Sequence, residues 1–311
     1  MNLSQVTFLY LSHKRALGRK FRAEEDILRA FCKAIGDRPI TAIEREVVLT
    51  FINGKGPITE YWTKKYRVLS GLYRYAIARG LAKASPLPRT IPKPTVPVFV
   101  PYIYSHEELK RLLDTVSTAC AGRASIEEDV FRNLLLLLYG AGLRLSEALA
   151  LTLGAVDLTQ AYLHVHETKF FKSRLVPLGK DLTTILSDYI SNRHKRTTQL
   201  ESPLFCFRDG SPLSQSAVRS TFRRLRSYAG VLRDGGSRHQ PRLHDLRHTS
   251  AVHRVIAWYR NGADLQELLP KLATYMGHVD LSATQRYLTM TPELLRLASL
   301  RFENYAIGDQ S

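Results

Sequence analysis

Apolar side chains recur along this chain at spacings of three and four, the mark of helices that bury one face. In Ala23–Ile35 the positions Ile27, Leu28, Phe31 and Ile35 predict one such helix. Pro39 precedes a second, Ile40–Phe51, with Ile43, Val47 and Phe51 on one side. Thr59–Arg79 predicts a third, with Leu69, Leu72, Tyr73 and Ala76 as its stripe. The pattern then breaks. Between Ser85 and Pro101 stand Pro86, Pro88, Pro92, Pro94, Pro97 and Pro101, which exclude a helix interior and predict a stiff, extended linker. Periodicity resumes at Ser105, where Ser105 and Glu108 form a capping box ahead of Leu109, Leu112, Leu113 and Val116. Glu127–Tyr139 is apolar enough for a buried core helix, and Gly140-Ala141-Gly142 releases the backbone behind it, with Ser146 placed to cap the next helix.

One region changes to a period of two. Tyr162–Glu167 and Arg174–Leu178 read as two strands, and the short connection Thr168–Ser173 can project either Lys169 or Lys172 from its tip. Helices return at Asp181–Lys195, at Ser214–Tyr228, and beyond His244. The tail Pro292–Tyr305 places Leu294, Leu297, Ala298, Phe302 and Tyr305 along one side, with proline favourable in the first turn. The fold class is therefore mainly α with a small β-sheet (α+β). Residues 1–98 form an N-terminal helical domain with a proline-rich linker from about residue 85, and 102–311 form a second domain ending in a tail helix at 292–305.

Charge changes the picture. Forty-five Lys and Arg face 28 Asp and Glu, a net +17, which draws polyanions, nucleic acid before membrane surfaces. On the third helix Lys64, Lys65, Arg67, Arg74 and Arg79 alternate with Tyr61, Trp62, Tyr66 and Tyr75, a mixture suited to a phosphate backbone or to an ordinary solvated face. Arg219, Arg223, Arg224 and Arg226 add a second basic run on Ser214–Tyr228. No apolar run approaches the roughly 20 residues of a membrane span, and the N-terminus lacks a signal-peptide pattern. Cys32, Cys120 and Cys206 are too scattered for a zinc knuckle or a disulfide framework. A cytoplasmic, nucleoid-associated protein with reduced thiols is expected.

Candidate chemistry gathers between Pro241 and Leu288. His244 and Arg247 are three apart and share a helix face; Gly277-His278 follows, and Tyr287 lies nine residues beyond His278. Arginine grips phosphate with a planar fork, and tyrosine is a competent covalent nucleophile when cationic or basic neighbours activate it. Further upstream, Arg144 stands on a turn among apolar residues, where it needs a carboxylate such as Glu147 or an anionic ligand.

These stretches resemble the tyrosine recombinase family, the λ-integrase-like enzymes that include Xer-like and mobile-element integrases. GAGLRLSEAL around Arg144 looks like its first arginine box, ETKFFKSRLVPLG like its β-hairpin lysine segment, HDLRHT like its second box, and MGHVDLSATQRYL like its Gly-His and tyrosine box. Phe170 and Phe171 stand where small residues usually follow the lysine, and Pro270-Lys-Leu is an insertion more like recombinases of mobile elements. The resemblance implies a core-binding domain followed by a catalytic domain. It makes Tyr287 the nucleophile on a DNA phosphate, forming a 3′-phosphotyrosyl link. Arg144, Arg247 and His278 would hold the non-bridging oxygens, Lys169 would protonate the leaving 5′-oxygen, and His244 would move the tyrosine proton. Lys64, Lys65, Arg67, Arg74, Lys172, Arg223 and Arg224 are the candidate DNA contacts. No cofactor or metal is implied. The expected partners are double-stranded DNA and three further copies in a homo-tetramer on two sites, with or without a companion recombinase, in integration or transposition. A type IB topoisomerase-like relaxing enzyme and a non-cleaving architectural DNA-binding protein are the alternatives.

Overall fold

The computed structural model describes all residues except 20, 93–99, 122–125, 167–172, 196–198, 238, 278–281, 286, 288–292, 295, 297–298 and 300–311, and the side chains of 282 and 283. The chain divides into two compact units, Met1–Phe99 and Val100–Ser311.

The first unit is built from α1 (Leu3–Ala16), α2 (Arg22–Ile35), a 3₁₀ turn at Ile40–Ala42, α3 (Arg45–Asn53) and α4 (Glu60–Ala78). Helix α1 is not singled out by the sequence pattern. Its buried stripe of Leu3, Val6, Thr7, Tyr10 and Leu11 has helical spacing, but exposed Phe8 and Leu9 blur it. A Cβ on Gly71 of α4 would lie 2.3 Å from the Tyr10 hydroxyl, so glycine is what lets α1 and α4 approach there. The predicted second helix starts late. Extended backbone at Ile43 and Glu44 resets its phase, so Val48 and Ile52 are buried while Val47 and Phe51 are only half-buried. Trp62, expected among the outward aromatics, is a core residue whose indole donates to Asn53 at 2.8 Å. The proline-rich stretch begins as part of this unit: Leu87 is buried and Tyr66 donates to the Pro88 carbonyl.

In the second unit α5 (His106–Asp114) opens with the expected capping box, Ser105 and Glu108 bonding reciprocally. After α6 (Val116–Cys120), α7 (Glu128–Gly140) forms the centre of the core, with Val130, Phe131, Leu134 and Leu137 fully buried. Helix α8 (Leu145–Ala148) is a single turn. Ser146 lies inside it, and its N-cap position is Arg144, whose backbone amide donates to the Glu147 carboxylate. An antiparallel sheet of order β1-β2-β3 follows, from Val156–Asp157, Tyr162–Val165 and Arg174–Pro177, with Val165 opposite Arg174. Two residues are too few for β1 to leave a readable pattern. Helices α9 (Lys180–Arg193), α10 (Gln215–Tyr228, capped by Ser214), α11 (Asp245–Arg260), α12 (Leu265–Met276) and α13 (Ser282–Gln285) complete the unit. Pro270 lies within α12. Among the described residues no helix is long and apolar enough to cross a membrane.

Candidate active site

Three arginines from distant parts of the chain converge on one carboxylate. Glu147, 5% exposed at its side chain, receives Arg144 Nη1 at 2.7 Å, Arg174 Nη1 at 3.1 Å and Arg174 Nη2 at 2.9 Å. Arg247 Nη1 stands 4.0 Å away. Burial alone would raise the Glu147 pKa, but hydrogen bonds from Arg174 and from the Arg144 amide overcome it and hold the group at about 2. The carboxylate is therefore charged, and three guanidiniums around it leave a local excess of two positive charges. An isolated cluster of that sign in a desolvated site is unfavourable without an anion.

Each arginine is pinned separately. Arg144 reaches the Gly277 carbonyl through Nη2 at 2.9 Å. Arg247 donates to the Gly142 and Met276 carbonyls and is almost completely covered. Burial first, then the field of Arg144, lowers its pKa to about 10. Arg247 belongs to α11, whose N-terminus is fixed by Tyr104: its amide donates to Thr249 and its hydroxyl to the Arg242 carbonyl.

The tyrosine meets the same helix, α11, through His248. Tyr287 is 2% exposed and packs among Val252, Val255, Leu272 and Met276. His248 Nδ1 is 3.3 Å from its hydroxyl, and the His248 ring meets His244 edge-on at 4.9 Å. His244, His248 and Tyr287 thus lie in file, the tyrosine against one imidazole and that imidazole against the other. His244 shows an edge to solvent yet has dense protein on its other sides. That desolvation, then the charge of Arg247, lowers its pKa, which favours the neutral imidazole that can accept a proton.

Of the residues expected from sequence, the structure brings together Arg144, Arg247, His244 and Tyr287. Lys169, Lys172 and His278 lie outside the described residues. Glu147 stood only as a structural partner for Arg144, and it is also the hub for Arg174 and Arg247. Arg174 and His248 were not identified as site residues. His248 could have been found as the position four beyond His244, on the same face; Arg174 carries no local signal. Tyr259 and Tyr275 serve packing, Tyr275 lying 4.7 Å beneath the Arg254 guanidinium. Among the described residues no His, Cys, Asp and Glu cluster is arranged to hold a metal ion.

The expected DNA contacts separate into two settings. In the first unit Lys64, Arg67 and Arg74 line a concavity of about 970 Å³ together with Lys14 and Arg19. Lys65 instead donates to the Phe51 carbonyl and lies over the Phe51 and Tyr61 rings. On α10 Arg223 and Arg224 are exposed, and Arg224 also reaches the Ala119 carbonyl.

Arg144, Arg174 and Arg247 gather near a tyrosine, a set of planar, permanently charged forks of the kind that grips phosphate. The pattern of the phage integrase family matches residues 103–293. A protein assigned as an integrase/recombinase in Sinorhizobium fredii is 34% identical over 94% of this chain and 95% of its own. Tyrosine recombinase XerC of Thermodesulfovibrio yellowstonii is 28% identical over 79% of this chain and 77% of its own. In fold, the chain is similar to λ integrase in a tetramer bound to a Holliday junction, with a TM-score of 0.64 at 17% identity over 90% of this chain and 78% of that one. The chain belongs to the phage integrase family and is a tyrosine recombinase, an enzyme that cleaves and rejoins DNA strands.

Proposed function

We propose that Tyr287 is the nucleophile and that the cluster around Glu147 receives the scissile phosphate. The tyrosine Oη–P bond forms as the P–O5′ bond breaks. The phenol proton passes to His248 or His244, and Lys169 protonates the departing 5′-oxygen. A partner strand's 5′-hydroxyl then reverses these transfers and rejoins the DNA. Arg144, Arg247 and His278 meet the charge that develops on the non-bridging oxygens, where preorganised donors act most strongly. The observation that carries this reading is the convergence of Arg144 and Arg247 on one buried carboxylate, with the Tyr287 hydroxyl against His248, the residue that follows Arg247. The burial of Tyr287 means that cleavage follows a movement of its segment toward DNA.

Lys64, Arg67 and Arg74 in the first unit, and Arg223 and Arg224 on α10, are the proposed backbone contacts. Double-stranded DNA is the partner, and a homo-tetramer on two sites is the working assembly, with or without a companion recombinase. A mobile-element role in a nucleoid-associated, cytoplasmic setting completes this reading, and the net charge of +17 favours contact with DNA. The test is covalent capture from a library of nicked duplexes. The parent protein is expected to retain a subset of sequences through Tyr287, identified by peptide mapping, and Tyr287→Phe to bind but retain none. An adduct mapped to Tyr259, Tyr275 or Tyr305 overturns the assignment. Strand exchange between two captured sites separates recombination from relaxation of a single duplex.

A further inference from the structure

Arg174 sits at the first position of β3, opposite Val165, and takes both oxygens of Glu147 in a two-pronged contact. Its Nε donates to the Tyr275 carbonyl at 3.1 Å. Only 11% of the side chain is exposed. It therefore presents little surface to DNA, and its charge is spent inside the protein. Gly277 makes room for it: a Cβ there would lie 2.8 Å from Arg174 Nη1 and 2.9 Å from Cζ, on a backbone with φ of +65°. One guanidinium thus joins the sheet, the α8 turn that holds Arg144, and the turn that ends α12.

Arg144 has a different balance. It gives one hydrogen bond to Glu147 and one to the Gly277 carbonyl, and 30% of its side chain is exposed. A buried carboxylate must be matched by nearby charge. Without Arg174, the cations left near Glu147 among the described residues are Arg144 at 2.7 Å and Arg247 at 4.0 Å. Arg144 would then be drawn fully onto Glu147 and away from any outside anion.

We infer that Arg174 is a positioning residue of the cleavage reaction: by neutralising Glu147 it leaves Arg144 with an uncommitted charge for the scissile phosphate. The inference rests on the proposed assignment of Arg144 to that phosphate. It separates two arginines that look equivalent by distance to Glu147. Arg174 acts through Glu147, and Arg144 acts on DNA.

The test compares single-turnover cleavage of a captured duplex carrying either a phosphodiester or a methylphosphonate at the scissile position. The methyl group removes the phosphate's negative charge and with it the need for a compensating cation. Arg174→Met is expected to cleave the phosphodiester more slowly by about 10²-fold, in the range for a lost transition-state donor, and the methylphosphonate within a few-fold of the parent. Adding Glu147→Gln to Arg174→Met removes the charge that captures Arg144, and is expected to restore most of the phosphodiester rate. Equal losses on both substrates with no rescue by Glu147→Gln, or no loss on the phosphodiester, overturns the inference. Arg144→Ala is the control for the underlying assignment. If it shows the same loss on both substrates, the placement of Arg144 at the phosphate fails and takes this inference with it. If Arg144→Ala is relieved by the methylphosphonate and Arg174→Met is not, only the inference fails. Melting of each full-length variant is measured alongside. Should Arg174→Met melt below the assay temperature, Arg174→Gln, which keeps polar contact without charge, is read by the same comparison.

Discussion

Glu147 shows how one side chain serves both stability and chemistry. Its pKa is depressed from 4.5 to about 2, so folding favours the ionised form. The resulting stabilisation is fully present above about pH 4.5 and is lost as pH falls toward 2, with a size on the order of 3 kcal/mol. Acid melting of the full chain should steepen in that window, and Glu147→Gln should flatten it. An unchanged acid profile in Glu147→Gln would mean that the ion pairs add nothing net. Arg144 is expected to tolerate no conservative exchange. Lysine offers a point charge where a fork bonds Glu147 and the Gly277 carbonyl at once. Arg144→Lys should cleave about 10²–10³-fold more slowly. A rate within a few-fold of the parent would leave Arg144 a purely structural partner of Glu147.

At the scale of elements, α11 is the axis of the site. It carries His244 at its N-cap position, then Arg247 and His248, while its far side holds the joint between α5 and α7. There His253 accepts or donates a hydrogen bond with the Tyr139 hydroxyl at 2.9 Å and stacks on His106 at 4.3 Å. Burial first, and the adjacent His106 second, lower the His253 pKa from 6.5 to about 4. The unfolded chain takes up this proton near pH 6.5 and the folded chain only near 4, so stability falls as pH drops between those values. His253→Asn should remove that slope in melting curves across pH 4–6.5; a slope of undiminished size would place its origin elsewhere. The start of the tail has its own setting. Glu293 pairs with Arg260 at 2.5 Å, and Leu294 is buried in the cluster that covers Tyr287. These residues pack on their own unit. Leu297, Ala298, Phe302 and Tyr305 lie outside the described residues.

For the whole molecule, net charge and the division into two units set the response to DNA. Basic side chains occur in both, in the Lys14–Arg74 concavity and on α10. With about 6–10 phosphate contacts, affinity for a captured duplex should fall roughly 10³–10⁵-fold between 50 and 200 mM salt. A fragment from Pro101 onward is expected to bind more weakly and with a shallower salt slope. Equal affinity and slope in filter-binding or anisotropy titrations would show that the first unit contributes no contacts.

Helix periodicity, the capping box at Ser105, the strand pair and the order of the motifs are all local, and each was readable because a few neighbouring residues decide it. The family resemblance names Arg144, His244, Arg247 and Tyr287 together, and in the structure these four lie near one another. Local logic failed where the deciding contact lay far along the chain. Trp62 reads as an outward aromatic until Asn53 and the core claim it, and Val47 and Phe51 read as core until extended backbone at Ile43 and Glu44 shifts the helix phase. Arg174 reads as a strand residue until tertiary folding brings it to Glu147, 27 positions earlier. Side-chain period and turn chemistry determine which elements form. Only the packed structure decides which charges share a carboxylate, because a buried ion is settled by whatever partners the fold delivers within hydrogen-bonding reach.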